Sequence, residues 1–172
     1  MSKANQIIIE KEVTDDLVRE IVKMERENFD EVYHIDHEEM REALEEPSAV
    51  TIIAYDENGN IGGYVLSIDF SEEYEDLKNG EDPDIENIEG ALYMHSIVVR
   101  NDLRGKGYFG KLIKKLREAF PEKPIGLHAS TANASSAGMQ KYGARFVRRI
   151  DNWYGNGEPF DYLIFDPIEK NT

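Results

Sequence analysis

Residues 97–110 read Ile97-Val98-Val99-Arg100-Asn101-Asp102-Leu103-Arg104-Gly105-Lys106-Gly107-Tyr108-Phe109-Gly110, and the fold follows from what this stretch joins. Upstream, residues 91–100 form a β-rich apolar run. Downstream, Tyr108 opens the clearest helical pattern in the chain: Phe109, Leu112, Ile113, Leu116, Ala119 and Phe120 make one apolar stripe, and Pro121 closes it. A glycine loop feeding a helix start presents backbone N–H groups without intrahelical partners, beside a dipole end worth roughly half a positive charge. Such a place binds phosphate, and glycines let the main chain approach anionic oxygens with no Cβ in the way. Local charge agrees. Arg100, Arg104, Lys106, Lys111, Lys114, Lys115 and Arg117 are seven cations within residues 100–117 against Asp102 alone, whereas the rest of the chain holds 13 basic and 34 acidic residues. Solvation of a helix's outer face accounts equally well for Lys111, Lys114, Lys115 and Arg117.

Working outward, a short strand over residues 6–10 precedes a helix whose start is marked by Thr14, Asp15 and Asp16 and whose apolar side is Leu17, Val18, Ile21, Val22 and Met24. A second helix starts at Asp36, with Glu39 as its capping-box partner and Met40, Ala43 and Leu44 on its buried side. Residues 49–56 and 61–69 form a hairpin across Glu57-Asn58-Gly59-Asn60. In residues 71–90 the pattern disappears. Nine of those twenty are Asp or Glu and only Lys78 is basic, which reads as an acidic loop insertion, either merely solvated or a lure for cationic substrate. Beyond the central helix come a strand over residues 124–129, a short helix over 133–142, and a final hairpin of 144–154 with 160–165 across Gly155-Asn156-Gly157. The order is β-α-α-β-β-β-α-β-α-β-β, an α/β (α+β) pattern in one domain over residues 1–172, and no repeat is visible.

The chain carries a net charge of −15 over 172 residues and has no cysteine. That excludes disulfides, thiolate metal sites and a cysteine nucleophile, hence any enzyme thioester. The excess negative charge argues against nucleic acid and anionic membranes as partners and favours cationic small molecules or basic peptide segments. The apolar runs are too short to span a bilayer and the first residues lack a signal-peptide pattern, so a cytoplasmic location is expected. His34 and His37 have the spacing of helical metal ligands without an evident third ligand, so no metal is expected.

Three phosphate motifs compete for the glycine loop. Gly105, Gly107 and Gly110 satisfy the dinucleotide fingerprint, but Leu127-His128-Ala129 offers no acidic residue where one is needed. Residues 105–111 match the start of a P-loop, but Leu112 stands where magnesium needs Ser or Thr. The third is Arg-x-x-Gly-x-small, read as Arg104, Gly107 and then Phe109 in place of the usual Gly or Ala. In this third form, residues 97–107 resemble the strand and pyrophosphate-loop signature of the GCN5-related N-acetyltransferase (GNAT) superfamily. A second match is carried by Asn133, Ser136, Met139, Lys141-Tyr142-Gly143 and Phe146, similar to the family's acyl-CoA wall.

The resemblance implies a GNAT-like mixed sheet of about six to seven strands flanked by about four helices. It also implies acetyl-CoA as co-substrate. The amides of Gly105, Lys106, Gly107, Tyr108, Phe109 and Gly110, with Arg104, would hold the pyrophosphate. The main chain of Ile97, Val98 and Val99 would pair with the pantetheine arm like an added strand, and Asn133 would contact that arm. The implied activity is N-acetyl transfer to a primary amine by direct attack in a ternary complex. An alkylamine with a pKa of about 10.4 must first lose a proton. His95, which shares a strand face with Tyr93, Ile97 and Val99, is the leading acceptor, and Tyr93 the weaker one. The family's thiol-protonating Tyr is replaced by Met139, leaving Tyr142 as a nearby substitute or a packing aromatic. The N–H of Ile97 or Val98 would serve the oxyanion. Tyr33, Trp153, Tyr154 and Phe160 fall in connections that line the family's acceptor pocket, although hairpin packing explains them as well. The missing Tyr and Phe109 also motivate the alternative of a non-catalytic acyl-CoA-binding or protein-interaction module. Homodimerisation is left open.

Overall fold

The computed structural model describes residues 2–132, 135–155 and 157–168, so Asn133 and Asn156 lie outside the described residues. Seven strands form one mixed sheet: β1 (Ile7–Glu10), β2 (Val50–Tyr55), β3 (Ile61–Asp69), β4 (Leu92–Val99), β5 (Ile125–Ser130), β6 (Arg145–Trp153) and β7 (Glu158–Phe165), in the order β1-β2-β3-β4-β5-β7-β6. The β4–β5 pair is parallel and the outer pairs are antiparallel. Among the described residues five α-helices, α1 (Asp15–Asn28), α2 (His37–Glu45), α3 (Phe70–Asn79), α4 (Tyr108–Ala119) and α5 (Ser135–Lys141), complete the α/β architecture. Among the described residues no helix is long and apolar enough to cross a membrane.

The chain divides into two compact units. The first comprises Met1–Ser67 and His95–Ala119. Its α1 starts where Thr14 Oγ1 accepts from the Leu17 N–H at 3.1 Å, with Asp15 and Asp16 at the positive end of the dipole. Its α2 starts where Asp36 Oδ1 accepts from the Glu39 N–H at 2.8 Å. The stripe Leu17, Val18, Ile21, Val22 and Met24 and the pair Met40 and Leu44 pack with Ile53, Tyr55, Tyr64, Leu66 and Val98 from the sheet. Each such side chain contributes about 1.5–3 kcal/mol by leaving water. Helix α4 lies on β1 and β2.

The second unit comprises Ile68–Met94 and Phe120–Thr172. Here the structure corrects the reading of residues 71–90 as a patternless loop, because the first half of that segment is α3. Phe70, Tyr74 and Leu77 have helical spacing, Phe70 and Leu77 are buried, Glu72 and Glu73 occupy the first turn and Lys78 the last. The acidic composition hid a helix held by an apolar stripe one residue wide. Gly126 on β5 makes room for it: a Cβ there would stand 2.7 Å from Phe70 Cε2. After Gly80 the chain turns back, Asp82 N–H donating to Leu77 C=O at 2.9 Å, and Asp82 and Ile85 are buried. Helix α5 packs on β5 and β7.

Candidate active site

The glycine loop lies in the first unit, between a single 3-10 turn (Asn101–Leu103) and α4. Gly105 and Gly107 have φ of +78° and +87°, a region that side-chain-bearing residues adopt only with strain. A Cβ on Gly105 would meet nothing within 4 Å, so the loop is open where it turns. The first backbone bond of α4 runs from Lys111 N–H to Gly107 C=O at 3.1 Å, which leaves the first-turn amides projecting from the helix start. The loop is seated by contacts the sequence reading did not single out. A Cβ on Gly62 would fall 2.6 Å from Leu103 Cδ1, and one on Gly63 would fall 2.8 Å from Val98 C=O and 3.2 Å from Leu112 Cδ1. The Gly62-Gly63 pair on β3 thus lets the loop and α4 sit directly on the strand.

Of the seven cations, Arg100 serves the scaffold. Its guanidinium donates to Asp56 Oδ2 at 2.9 Å, Ile61 C=O at 3.0 Å and Asp102 Oδ1 at 2.6 Å, and its N–H to Gly62 C=O at 2.8 Å. Asp56 also accepts from the Asn58 and Asn60 N–H groups at 2.9 Å, so one buried carboxylate joins the β2–β3 turn to the end of β4. Burial would raise Asp56, but those N–H bonds and Arg100 hold its carboxyl below the usual range. Arg104 donates to Asn28 Oδ1 at the end of α1. Lys106 and Lys111 are exposed, with Lys111 Nζ 5.9 Å from the Tyr108 ring centroid. Tyr108, Phe109 and Gly110 are half-buried.

On β4, pairing with β5 covers only Leu92 with Ile125 and Tyr93 with Gly126. Beyond it, Val98 and Val99 are buried, Ile97 is half-buried and His95 is accessible to water. The His95 ring is nevertheless surrounded mostly by protein. Desolvation lowers its pKa and the Glu25 carboxylate opposes the shift without reversing it, which leaves a neutral imidazole at pH 7. Glu25 is itself buried on α1, where Tyr64 donates to Oε1 and Ser96 Oγ donates to the Tyr64 oxygen at 3.2 Å. Burial raises the Glu25 pKa.

The second unit holds a cluster that the sequence reading passed over. His128 has no side-chain exposure. Its Nδ1 lies 2.7 Å from the Tyr93 hydroxyl and its Nε2 2.9 Å from Asp82 Oδ2. Its ring is stacked between Trp153, centroids 4.5 Å apart, and Tyr162 at 4.8 Å. Arg148 donates to Asp82 Oδ1 and lies 5.0 Å over the Tyr162 ring. Burial would raise Asp82, but its bonds from His128 and Arg148 hold it low, while burial keeps His128 below an ordinary histidine. Around this core Trp153 stacks on Phe160 at 5.1 Å and meets Tyr154 edge-on at 5.4 Å. Tyr154 has φ +53° and donates its N–H to Glu81 Oε2 at 2.8 Å. Desolvation, then Glu73, Glu81 and Asp76, raise the Tyr154 pKa, and Glu73 acts on Tyr93 likewise. Glu73 is pushed up to about 7 by burial and by Asp76.

The structure therefore brings Tyr93, Trp153, Tyr154 and Phe160 into one aromatic group around His128. Tyr33 ends a 3-10 turn (Glu31–Tyr33) of the first unit, and Tyr142 sits just past α5, 39% exposed, with Met139 buried one turn before it. Asn133 is outside the described residues. Of the two histidines with metal-ligand spacing, His34 contacts Phe29 C=O at 2.6 Å. Among the described residues no group of three or more His, Asp or Glu is arranged for a metal. One signal pointed to His128: with Gly126 and Ser130 it occupies the alternate face of β5 from Leu127 and Ala129. Nothing local pointed to Asp82, one acid among nine.

An aminoglycoside 6'-N-acetyltransferase crystallised with coenzyme A superposes with a TM-score of 0.70 at 15% identity, over 96% of this chain and 98% of that one. Arabidopsis thaliana NAA60 with a bisubstrate analogue gives 0.70 at 16% identity over 93% and 97%. A spermidine N-acetyltransferase SpeG chimera from Vibrio cholerae and hSSAT gives 0.65 at 15% identity over 93% and 94%. No curated protein matches by sequence. The model of the acetyltransferase (GNAT) family matches residues 16–144, three quarters of the chain, from the second residue of α1 past the end of α5, and the chain belongs to that family.

Proposed function

We propose that this chain transfers an acetyl group from acetyl-CoA to a primary amine by direct attack in a ternary complex. The observation that carries the reading is the loop at Gly105 and Gly107, two left-handed glycines with open space at the turn ahead of a twelve-residue helix. Amides of residues 105–110 would bind the diphosphate, with Arg104, Lys106 and Lys111 adding positive charge. The short β4–β5 pairing supports a role for the main chain of Ile97, Val98 and Val99 as the edge to which an amide-bearing arm adds. Asn133 is proposed to contact that arm. His95, neutral at pH 7, takes the amine proton. The nitrogen lone pair then forms the C–N bond, the oxyanion is met by the Ile97 or Val98 N–H, and the C–S bond breaks to release the thiol. Tyr142 is proposed for thiolate protonation, with Tyr33, Tyr93 and Tyr154 toward the acceptor.

The acceptor is proposed to be a cationic small molecule or a basic peptide segment. Burial is the largest cause raising the pKa of Tyr154 and Tyr93. Glu73, Glu81 and Asp76 add to it at Tyr154 and Glu73 at Tyr93, and the part due to those carboxylates also favours ammonium. The relatives named above include enzymes for aminoglycosides and spermidine. Calorimetry with acetyl-CoA, followed by thiol release across a panel of amines, tests the reading. Binding with amine-dependent release supports it. Binding without release, which the buried Met139 in place of a Tyr would favour, assigns the chain to non-catalytic acyl-CoA binding instead.

A further inference from the structure

We propose that Asn28 is a positioning residue for the diphosphate of acetyl-CoA: its side-chain amide holds the guanidinium of Arg104, the residue that opens the glycine loop, without taking its charge. The assignment rests on the acetyl-CoA reading above, and both residues belong to the first unit. Asn28 stands 76 positions from the side chain it holds, so no local pattern marks it.

Asn28 is the last residue of α1, and its amide is bonded on both sides. Nδ2 donates to the Met24 C=O at 2.7 Å, and Oδ1 accepts from Arg104 Nη2. A carbonyl only accepts and a guanidinium only donates, so a single orientation of the amide satisfies both. An aspartate has no hydrogen for Met24, and an apolar side chain meets neither group. Arg104 is anchored at its other end as well. The residue before it, Leu103, is buried against Gly62, where a Cβ would stand 2.6 Å from Leu103 Cδ1. The main chain is thus seated on β3 and the guanidinium on α1.

What the holder is made of matters as much as where it stands. Arg100, four residues earlier, gives its guanidinium to the carboxylates of Asp56 and Asp102, which cancel its charge. Lys114 pairs with Glu118. Among the described residues no carboxylate pairs with Arg104. A neutral amide orients the guanidinium and leaves its whole charge, with the remaining N–H groups of the fork, for an anion. Arg104 is exposed and adjoins Gly105, where the turn is open, so an anion can reach it from solvent. Ordering this long side chain beforehand removes part of the entropy that binding would otherwise cost.

The test uses the full chain labelled with 15N-arginine. Side-chain spectra of wild type should show hindered rotation of the Arg104 guanidinium, identified by its loss in Arg104→Lys, and Asn28→Ala should free it. By calorimetry, Kd for coenzyme A should rise about tenfold in Asn28→Ala and in Arg104→Ala, with no further loss in the double variant. Asn28→Asp, which keeps an oxygen for Arg104 but adds a charge, should lose at least as much. Equal losses with dephospho-coenzyme A place the effect at the diphosphate, and a loss confined to coenzyme A itself would move it to the terminal phosphate and overturn the assignment. A freely rotating Arg104 in wild type, additive losses, or an Asn28→Ala that binds coenzyme A as well as wild type or more tightly overturns the role of Asn28 and leaves the acetyl-CoA reading standing. A wild type that does not bind coenzyme A overturns both. Should Asn28→Ala fail to fold, the wild-type spectrum and the Kd of Asn28→Asp decide in the same way.

Discussion

His95 and His128 illustrate two ways in which burial keeps an imidazole neutral. Desolvation lowers both from the ordinary 6.5. His95 retains access to water and has Glu25 as its electrostatic counterpart, whereas His128 has both nitrogens committed and both faces covered. Under the proposed function the first takes the proton of the amine, whereas the second is committed to Tyr93 and Asp82. His95→Gln should therefore lower kcat/KM for the amine by about a hundredfold and abolish the acid limb of its pH profile, which in wild type lies below 6.5. Steady-state kinetics from pH 5 to 9 checks this, and a limb that persists in the variant would take the proton acceptor away from His95.

The sign of the stability effect at His128 is fixed by the same shift. The folded pKa is below the unfolded one, so as pH falls below 6.5 the unfolded chain takes up a proton that the folded ring resists, and stability is lost in that window. His128→Gln lacks this titration. The stability difference between wild type and variant should shrink as pH drops from 7 to 5, as measured by urea midpoints, and a constant difference would mean that folding leaves the pKa of the ring unshifted.

Two elements carry most of the proposed binding. In the loop before α4, Gly107 at φ +87° cannot take a β-branched side chain without strain. Gly107→Val should weaken acetyl-CoA at least tenfold by calorimetry while leaving the amine contacts intact. Equal affinity would show that the diphosphate binds elsewhere. In α3, Glu73 and Asp76 act on Tyr154 from a helix that the acidic composition concealed. Glu73→Gln with Asp76→Asn should raise KM for a cationic amine severalfold and leave that for acetyl-CoA unchanged. An unchanged KM would return these residues to the role of a solvated face. Because Glu73 titrates near 7, its share of the effect should grow from pH 6 to pH 8 as the carboxylate forms.

At the scale of the whole molecule, the chain divides into two compact units. The first unit contains the glycine loop and His95, and the second contains the aromatic cluster, Asp82 and the α3 acids. The net charge of −15 is distributed unevenly, with a basic island at residues 100–117, so under the proposed function an anionic diphosphate and a cationic acceptor would meet local fields of opposite sign.

Local physics was readable directly from the chain. Thr14 and Asp36 cap helices because a side-chain oxygen next to an apolar stripe satisfies an exposed N–H, and the glycine loop could be located because left-handed turns before a helix require glycine. These features depend on neighbours within a few positions. The partners of Asp82, at 46 and 66 residues' distance, and the seating of Leu103 against Gly62 depend on which strands pair, and no short window contains that information. Arg100 shows the same division: its charge was evident from the sequence, but only the packed β2–β3 turn decided that Asp56 would claim it. Short-range patterning thus determined the family, the fold class and every main element but α3, and located the glycine loop, whereas tertiary structure decided which charged groups are committed to the scaffold, because burial and ion pairing are properties of residues brought together from far apart.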